Sequence, residues 1–472
     1  MGSINTPGIE QLKAGLSDSS TVVTPESDKY QESLERWAVT AEKPASIIVF
    51  PTSARDVSKA ILFSTANKLE LAVSGGRHAT SGSSSTDGGL CIDLSKMRSV
   101  TVDAEKKTVT AQGGALWADV DSELGKYGLA AVGGTVNHTG IGGLTLGGGY
   151  GFLTGQHGLV VDNLLEVEFV LADGRVVTAS ASQNGDLFWA ARGAGVNFGV
   201  ATSFTYRAHE QKNLVWGGIL IFPKERLVGV INAANRIYEA GESRQVMLVG
   251  FVAPPPAHQP VVMVLTFFDG AEDEAKTFFD PLLSLEPLAN MTGPMPYSSA
   301  NGMLNESMPY GFRRRMKGSA FIAPLDTSFA ASLFQDFEDF LQKTPSAVLS
   351  VLLLEYVPFK KVIEVSQTAT SFANRGAYGN ILFGPGWTDP AQDSACREWT
   401  KVMYSKTRAE LLKRKTGGTD PVTLEGVGEY VNYDGLDASA DVLFGVNAPR
   451  LAELKKKYDP GNVFCKGTKF LA

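Results

Sequence analysis

The chain has 472 residues, 43% of them hydrophobic and 20% charged, enough for a sizeable core and two or three structural units. A net charge of −7 and a pI of about 5.5 exclude the basic face of a nucleic-acid binder. Three scattered cysteines exclude a disulfide framework and a zinc spacing, while a start without an apolar leader and no run of ~18 apolar residues point to an intracellular, cytoplasmic protein without a membrane span or metal.

Residues 1–43 read as a polar lead with a helix near Lys29 to Trp37. Ser46 to Phe50 is a strand, and Pro51-Thr52-Ser53 caps a helix with Val57, Ala60, Ile61 and Ser64 on one face. Leu69 to Ser74 and Leu90 to Leu94 are strands, Val100 to Ala111 a hairpin, and Ala115 to Tyr127 an amphipathic helix. Asp173-Gly174 turns a second hairpin, ahead of a short helix at Asp186 to Ala191 and a strand at Gly199 to Tyr206.

Beyond Glu210 the texture changes. Gly218 to Phe222, Val246 to Val252 and Val261 to Phe268 are strands, alternating with helices at Glu225 to Ala240 and Ala271 to Leu283. Residues 285–320 read as one long irregular segment, within which Arg313-Arg314-Arg315 and Lys317 form a solvated basic loop or, alternatively, a clamp for an acidic substrate. Thr327 to Gln342 is helical, Ser346 to Val357 a strand, and Ala391 to Lys413 a long helix. Glu429 to Tyr433 reads as a short β-like run, and Asn447 to Tyr458 as a helix stopped by Asp459-Pro460-Gly461-Asn462.

Two stretches stand apart. Val132 to Gly151 holds nine glycines in twenty residues, and Ser74-Gly75-Gly76-Arg77-His78 lies about sixty residues upstream. Such density suits a backbone that bends sharply or approaches a ligand closely. A Rossmann reading fails, since no clean strand leads into the glycines and no acidic residue follows at the right distance. No Gly-Lys-Ser/Thr follows for a Walker loop.

The ordered set is more specific. Beside the His78 loop stand Gly140-Ile141-Gly142-Gly143, Leu146 to Gly151, Gly158 to Asn163, Ala172 to Arg175, Asp186 to Ala190, Gly195 to Val200, Tyr430-Val431-Asn432-Tyr433 and Tyr458 to Phe464. From about Pro44 onward this resembles the flavin-dependent oxidases of the vanillyl-alcohol oxidase and berberine-bridge-enzyme type, hydroxynicotine oxidases included. The resemblance implies an α+β fold: a two-lobed, PCMH-type FAD-binding domain over 44–210, a substrate domain over 215–424 with an antiparallel sheet backed by helices, and a segment, 425–472, that returns to the FAD domain.

The resemblance also implies roles. His78 would bond covalently to the flavin 8α-methyl. Ser74, Gly75, Gly76, Arg77, Ala79 and Ser81 would cradle the pyrophosphate, with Gly142, Gly143 and Thr145 opposite. Thr135, Val136, Thr139, Tyr150, Gly199 and Val200 would line FAD, as would Tyr430 and Asn432. Doubly linked relatives carry a cysteine four residues before Gly140. Val136 stands there, so a single link is expected, and His138, two residues off, is expected to point elsewhere. Thr139 leaves room for oxygen. Candidates for catalysis are Tyr430, Glu355 and Asn432, a buried Glu355 being suited to act as base. The implied activity is oxidation of a small organic alcohol, amine or ring C–H with O₂ as acceptor, in specialised metabolism, with desaturation or ring closure among its outcomes. A carbohydrate oxidase, an oxygen-insensitive dehydrogenase and a flavin-scaffold cyclase or flavin-binding protein remain as alternatives.

Overall fold

Short aliphatic runs become the strands of three main sheets in the computed structural model, which describes residues 6–418, 425–435 and 437–471. The first five residues of the expected lead, and the expected division at residue 424, lie outside the described residues.

The first sheet joins β1 (Thr21–Val23), β2 (Ile47–Phe50), β3 (Leu71–Ser74) and β4 (Leu90–Asp93) in the order β1-β2-β4-β3. Its β2-β4-β3 core is parallel. Helix α1 (Ala54–Ala66) covers it, started by the Ser53 hydroxyl accepting the Asp56 N–H at 3.2 Å. Its face Val57, Ala60, Ile61 and Ser64 is buried, as the helical spacing requires.

The second sheet joins β5 (Val100–Asp103), β6 (Thr108–Gln112), β7 (Leu164–Val170), β8 (Val176–Ser180) and β9 (Val200–Arg207), all antiparallel, in the order β5-β6-β9-β7-β8. Helices α2 (Trp117–Gly125), α3 (Ile141–Leu146) and α4 (Gly185–Ala194) accompany it.

The third sheet is antiparallel and carries β10 (Val215–Phe222), β11 (Gln245–Val252), β12 (Val261–Phe268), β13 (Lys317–Phe321), β14 (Val351–Tyr356) and β15 (Gly379–Gly384), in the order β10-β12-β11-β14-β15-β13. Successive side chains leave a strand on opposite faces. On β14, Leu352, Leu354 and Tyr356 join the core under helices α5 (Leu227–Glu239), α6 (Thr327–Lys343) and α7 (Asp393–Gly417). Leu353 turns the other way, toward the core shared with the second sheet, where Phe267 stacks on Phe152 with centroids 4.8 Å apart. Glu355 occupies that same inner face by register.

The structure corrects several expectations. Residues 285–320 are not wholly irregular: β13 begins at Lys317, and short strands at Ala289–Asn290 and Gly293–Met295 pair with β10. The expected helix from Ala271 to Leu283 breaks at Phe279, just before Pro281, which lacks an N–H to continue it. Glu429 to Tyr433 is not β-like; Val431–Tyr433 is a 3₁₀ turn. The basic run is not a solvated loop. Arg313 pairs bidentately with Asp393 at 2.5 and 2.6 Å, Arg315 pairs with Asp437, and buried Lys317 pairs with Asp434 at 2.5 Å. Buried Arg314 lies over the Trp37 ring at 4.4 Å. Arg313, Arg315 and Lys317 are thus matched by carboxylates from distant segments, while Arg314 donates to the Pro309 carbonyl at 2.8 Å instead.

The C-terminal helix α8 (Ala448–Tyr458) docks beside α4. Buried Lys455 donates to the carbonyl of Asn197 at 2.8 Å and to Asp459 at 2.7 Å. A second buried pair closes the structure elsewhere. Arg375, fully buried, donates to both Asp162 oxygens at 2.7 and 3.2 Å. No helix among the described residues is long and apolar enough to cross a membrane.

Removing one partner of a buried ion pair strands the other charge in a poor solvent. Asp162→Asn is therefore expected to destabilise the protein by about 3–5 kcal/mol, measured as a lowered unfolding temperature. An unchanged midpoint would show that Arg375 finds compensation elsewhere.

Candidate functional site

The site begins where β3 ends. The Gly75-Gly76 loop leaves Ser74 and runs against Gly140, at the start of α3. A Cβ on Gly76 would overlap the Gly140 backbone, and a Cβ on Gly140 would overlap Gly76. The two loops thus meet main chain to main chain, which only glycine allows. The next residue, Arg77, is left-handed at φ 61°. It is held there by its Nε on buried Asp93 at 3.0 Å and by its carbonyl, which accepts the Trp37 N–H at 3.0 Å. The N–H groups of Gly76 to Ser81 meet no acceptor among the described residues. The Ser74 hydroxyl is buried without a partner, and beyond Gly143 the space is open. This combination of unused donors and an open face can hold an anionic, phosphate-bearing cofactor.

His78 stands at the edge of that cradle. Its ring stacks on Trp37 at 4.8 Å and 17°, and the Tyr310 ring meets it edge-on at 5.7 Å. Its Nε2 lies 2.7 Å from Nδ1 of His138. His138 does not point elsewhere; the loop contact at Gly76 and Gly140 carries it to His78. Desolvation, then the charges of His138 and Arg314, push the His78 pKa down to about 3, so the imidazole is neutral. Burial lowers His138 as well.

On the far side of the glycine stretch, Gly148 and Gly149 take φ values of 120° and 87°, which L side chains rarely adopt. Tyr430 secures this bend. Its buried hydroxyl oxygen accepts the Gly149 N–H at 3.2 Å and the Asn432 amide at 2.9 Å. The same amide donates to the Leu144 carbonyl at 3.0 Å, across Gly147. The Tyr150 ring meets Tyr430 edge-on at 5.0 Å.

Glu355 is buried, 5% exposed, beside its cross-strand partner Asn380. Its Oε1 accepts the Tyr433 hydroxyl at 2.6 Å and its Oε2 the Asn380 amide at 3.1 Å. Burial raises the Glu355 pKa, partly offset by these two donors. Burial and the Glu355 charge raise Tyr433 well above the ordinary tyrosine value. Because Val431–Tyr433 is a 3₁₀ turn, residues three apart eclipse, and the Tyr430 and Tyr433 rings lie 4.8 Å apart. Gly318 on β13 leaves the room that Tyr433 fills.

The other expected site residues divide between the two loops and the core. Thr135, Val136 and Thr139 share the loop of His138, which is tied to α2 through the Trp117 N–H on the Thr139 carbonyl at 3.1 Å. Ala79 and Ser81 extend the His78 loop. Thr145 is fully buried, its hydroxyl donating to the Ile141 carbonyl at 2.7 Å and bonded to Tyr206 at 2.8 Å. Gly199 packs on the Val170 carbonyl, and buried Val200 starts β9. Four residues escaped the sequence reading: His138 and Tyr433 in their present roles, with Trp37 and Tyr310. Only the repeated tyrosine in Tyr-Val-Asn-Tyr offered a signal for one of them.

Comparison with known proteins agrees with this geometry. Residues 45–180 match the FAD binding domain family, and residues 429–467 the family of berberine and berberine-like proteins. The chain is 36% identical over 471 residues to the FAD-linked oxidoreductase pgmH of Aspergillus terreus, covering 97% of this chain and 94% of that one. Its fold is similar to 6-hydroxy-D-nicotine oxidase from Arthrobacter nicotinovorans, with TM-score 0.82, 24% identity and coverage of 99% and 100%. It is similar also to BBE-like 1 of Physcomitrella patens, with TM-score 0.83, 20% identity and 97% coverage of each chain.

Two glycine variants separate fold from cradle. Gly76→Ala forces the two loops apart and is expected to lower the unfolding temperature along with flavin content. Gly143→Ala projects into open space and should leave stability within about 0.5 kcal/mol while reducing the flavin-to-protein ratio. Full flavin content in Gly143→Ala would show that the open face is not the cofactor's.

Proposed function

Since the chain belongs to the berberine-bridge-enzyme-like family of FAD-linked oxidoreductases, we propose that it is an oxidase acting on a small, carbon-rich alcohol, amine or ring C–H, with O₂ as electron acceptor. The observation that carries this reading is the buried Glu355–Tyr433 pair at 2.6 Å, joined through the Tyr430 ring to the glycine bend at Gly149. The His78 loop and the Gly142-Gly143 turn of α3 would hold FAD, which would supply an acceptor for the hydride removed from substrate carbon.

The chain's own residues supply proton transfer and orientation. Tyr433 takes the substrate's O–H or N–H proton as its own proton passes to Glu355 Oε1, so no charge is stranded in the buried site. Asn380 steadies the second carboxyl oxygen. Tyr430 and Asn432 are committed to Gly149 and Leu144, so they position the glycine bend rather than act as base. The inner sheet face around Glu355 carries Leu248, Leu353 and Leu382, which supports an apolar substrate and hence specialised metabolism, with desaturation or ring closure as outcomes. A single covalent link from His78 is part of this proposal. The domain division into 44–210, 215–424 and 425–472 is retained as part of it, supported by the separate sheets.

The proton relay requires ionised Glu355. With its pKa raised above the ordinary 4.5, kcat/KM should fall as pH drops through that raised value. Glu355→Gln should remove this acid limb and lower kcat by about 100-fold, with Tyr433→Phe similar and Tyr430→Phe acting mainly on flavin retention. A loss below about tenfold, or ~1.4 kcal/mol, in either Glu355→Gln or Tyr433→Phe would remove that residue from the relay. Anaerobic reduction followed by air tests the acceptor: rapid re-oxidation with peroxide is expected, and slow re-oxidation would make the protein a dehydrogenase.

A further inference from the structure

His138 is unexplained by any of this. It sits in the second glycine stretch, yet its side chain reaches the first, placing Nδ1 2.7 Å from His78 Nε2. One nitrogen of that pair must carry the hydrogen. The carbonyls of His138 itself and of Met308 both lie beside the His138 ring, and His138 Nε2 is buried without a hydrogen-bond partner among the described residues. In the tautomer with the hydrogen on Nε2, His138 Nδ1 is a lone pair facing His78. The His78 hydrogen then lies on Nε2, directed at His138, and His78 Nδ1 keeps its lone pair. That Nδ1 makes no hydrogen bond among the described residues and is not sealed in the core.

The surroundings hold this arrangement. Trp37 lies flat against one face of His78, and Tyr310 meets both imidazoles edge-on or tilted, at 5.7 and 5.5 Å. The Tyr310 hydroxyl reaches the Gly76 carbonyl at 3.5 Å. Trp37 is fixed in turn by its indole N–H on the Met308 carbonyl at 2.9 Å and by the Arg314 guanidinium 4.4 Å over its ring. Burial and a fixed cation so near keep both imidazoles neutral at rest, so a proton taken up by His138 is passed on rather than held.

We infer that His138 is the positioning residue and proton acceptor for covalent attachment of the flavin at His78 Nδ1. The inference rests on the reading that His78 carries the flavin. In the step, the Nδ1 lone pair forms a bond to the 8α carbon. One C–H bond of that methyl group breaks and its proton leaves to solvent. The Nε2 proton of His78 moves to His138 Nδ1 and is released from there. The two electrons left on the flavin ring system pass to dioxygen, which with two protons becomes hydrogen peroxide.

The test uses the full chain, wild type, His138→Leu and His138→Asn, each prepared without flavin and mixed with FAD in air. Flavin that stays with acid-precipitated protein is measured against time, and FAD binding before precipitation reports the fold. Wild type is expected to attach flavin through Nδ1. His138→Leu should bind FAD but attach it ~100-fold more slowly. His138→Asn offers an acceptor oxygen that takes up no proton, and should fall between, at least about tenfold slow. Attachment by His138→Leu at the wild-type rate would overturn the role of His138 alone. So would a wild-type linkage through Nε2, read from the flavinyl peptide. If His138→Leu fails to fold, a wild-type rate in His138→Asn overturns proton acceptance. Wild type that releases all its flavin would remove the covalent reading, and this inference with it.

Discussion

The contact between Gly76 and Gly140 is the constraint on which the site depends. Two loops sixty residues apart in the chain touch through their main chains, with no side chain between them. That closeness has two effects. It leaves a row of N–H groups on one loop without partners among the described residues, the condition for receiving an anion. It also fixes the distance between the side chains just beyond each glycine, so His78 and His138 meet although neither loop alone would bring them together. A single methyl group at either glycine would disturb both effects at once.

Opposite this cradle the third sheet works by alternation. Every residue of β14 is buried, but the two faces have different neighbours, helices on one side and the core shared with the second sheet on the other. Glu355 is the one carboxylate of the strand and lies on the inner face. Its burial is tolerable because a phenol and an amide supply donors. The halves of the molecule are then tied by buried ion pairs between remote segments, Arg375 with Asp162 and Lys317 with Asp434. Such pairs add little net stability relative to apolar packing, but they penalise misplacement strongly, which suits a site assembled from three regions of the chain.

Much of this was legible in the residues. Helices with clear caps and apolar faces, such as α1 and α6, needed no tertiary information, and strands of continuous Val, Ile and Leu were equally plain. The glycine density marked the cradle, and His78 stood out within it. What could not be read was set by contacts between distant segments. β13 begins Lys-Gly-Ser and gains its strand character from pairing with β15, not from propensity. The basic run looked solvated because its carboxylate partners lie far off in sequence, at Asp393, Asp434 and Asp437. His138 was misjudged by counting along one loop, when its partner belonged to another. Tyr433 was obscured by a strand-like pattern that would have sent its side chain to the face opposite Tyr430.

That last turn carries a consequence for how the family can vary. In a 3₁₀ turn each residue advances ~120° about the axis, so the ring that anchors the glycine bend and the ring that meets Glu355 project from one side only because two residues separate them. One residue more or fewer would swing one hydroxyl away from its partner while leaving composition nearly unchanged. The geometry thus constrains the spacing of the two tyrosines, and Val431, half-buried, only spans it.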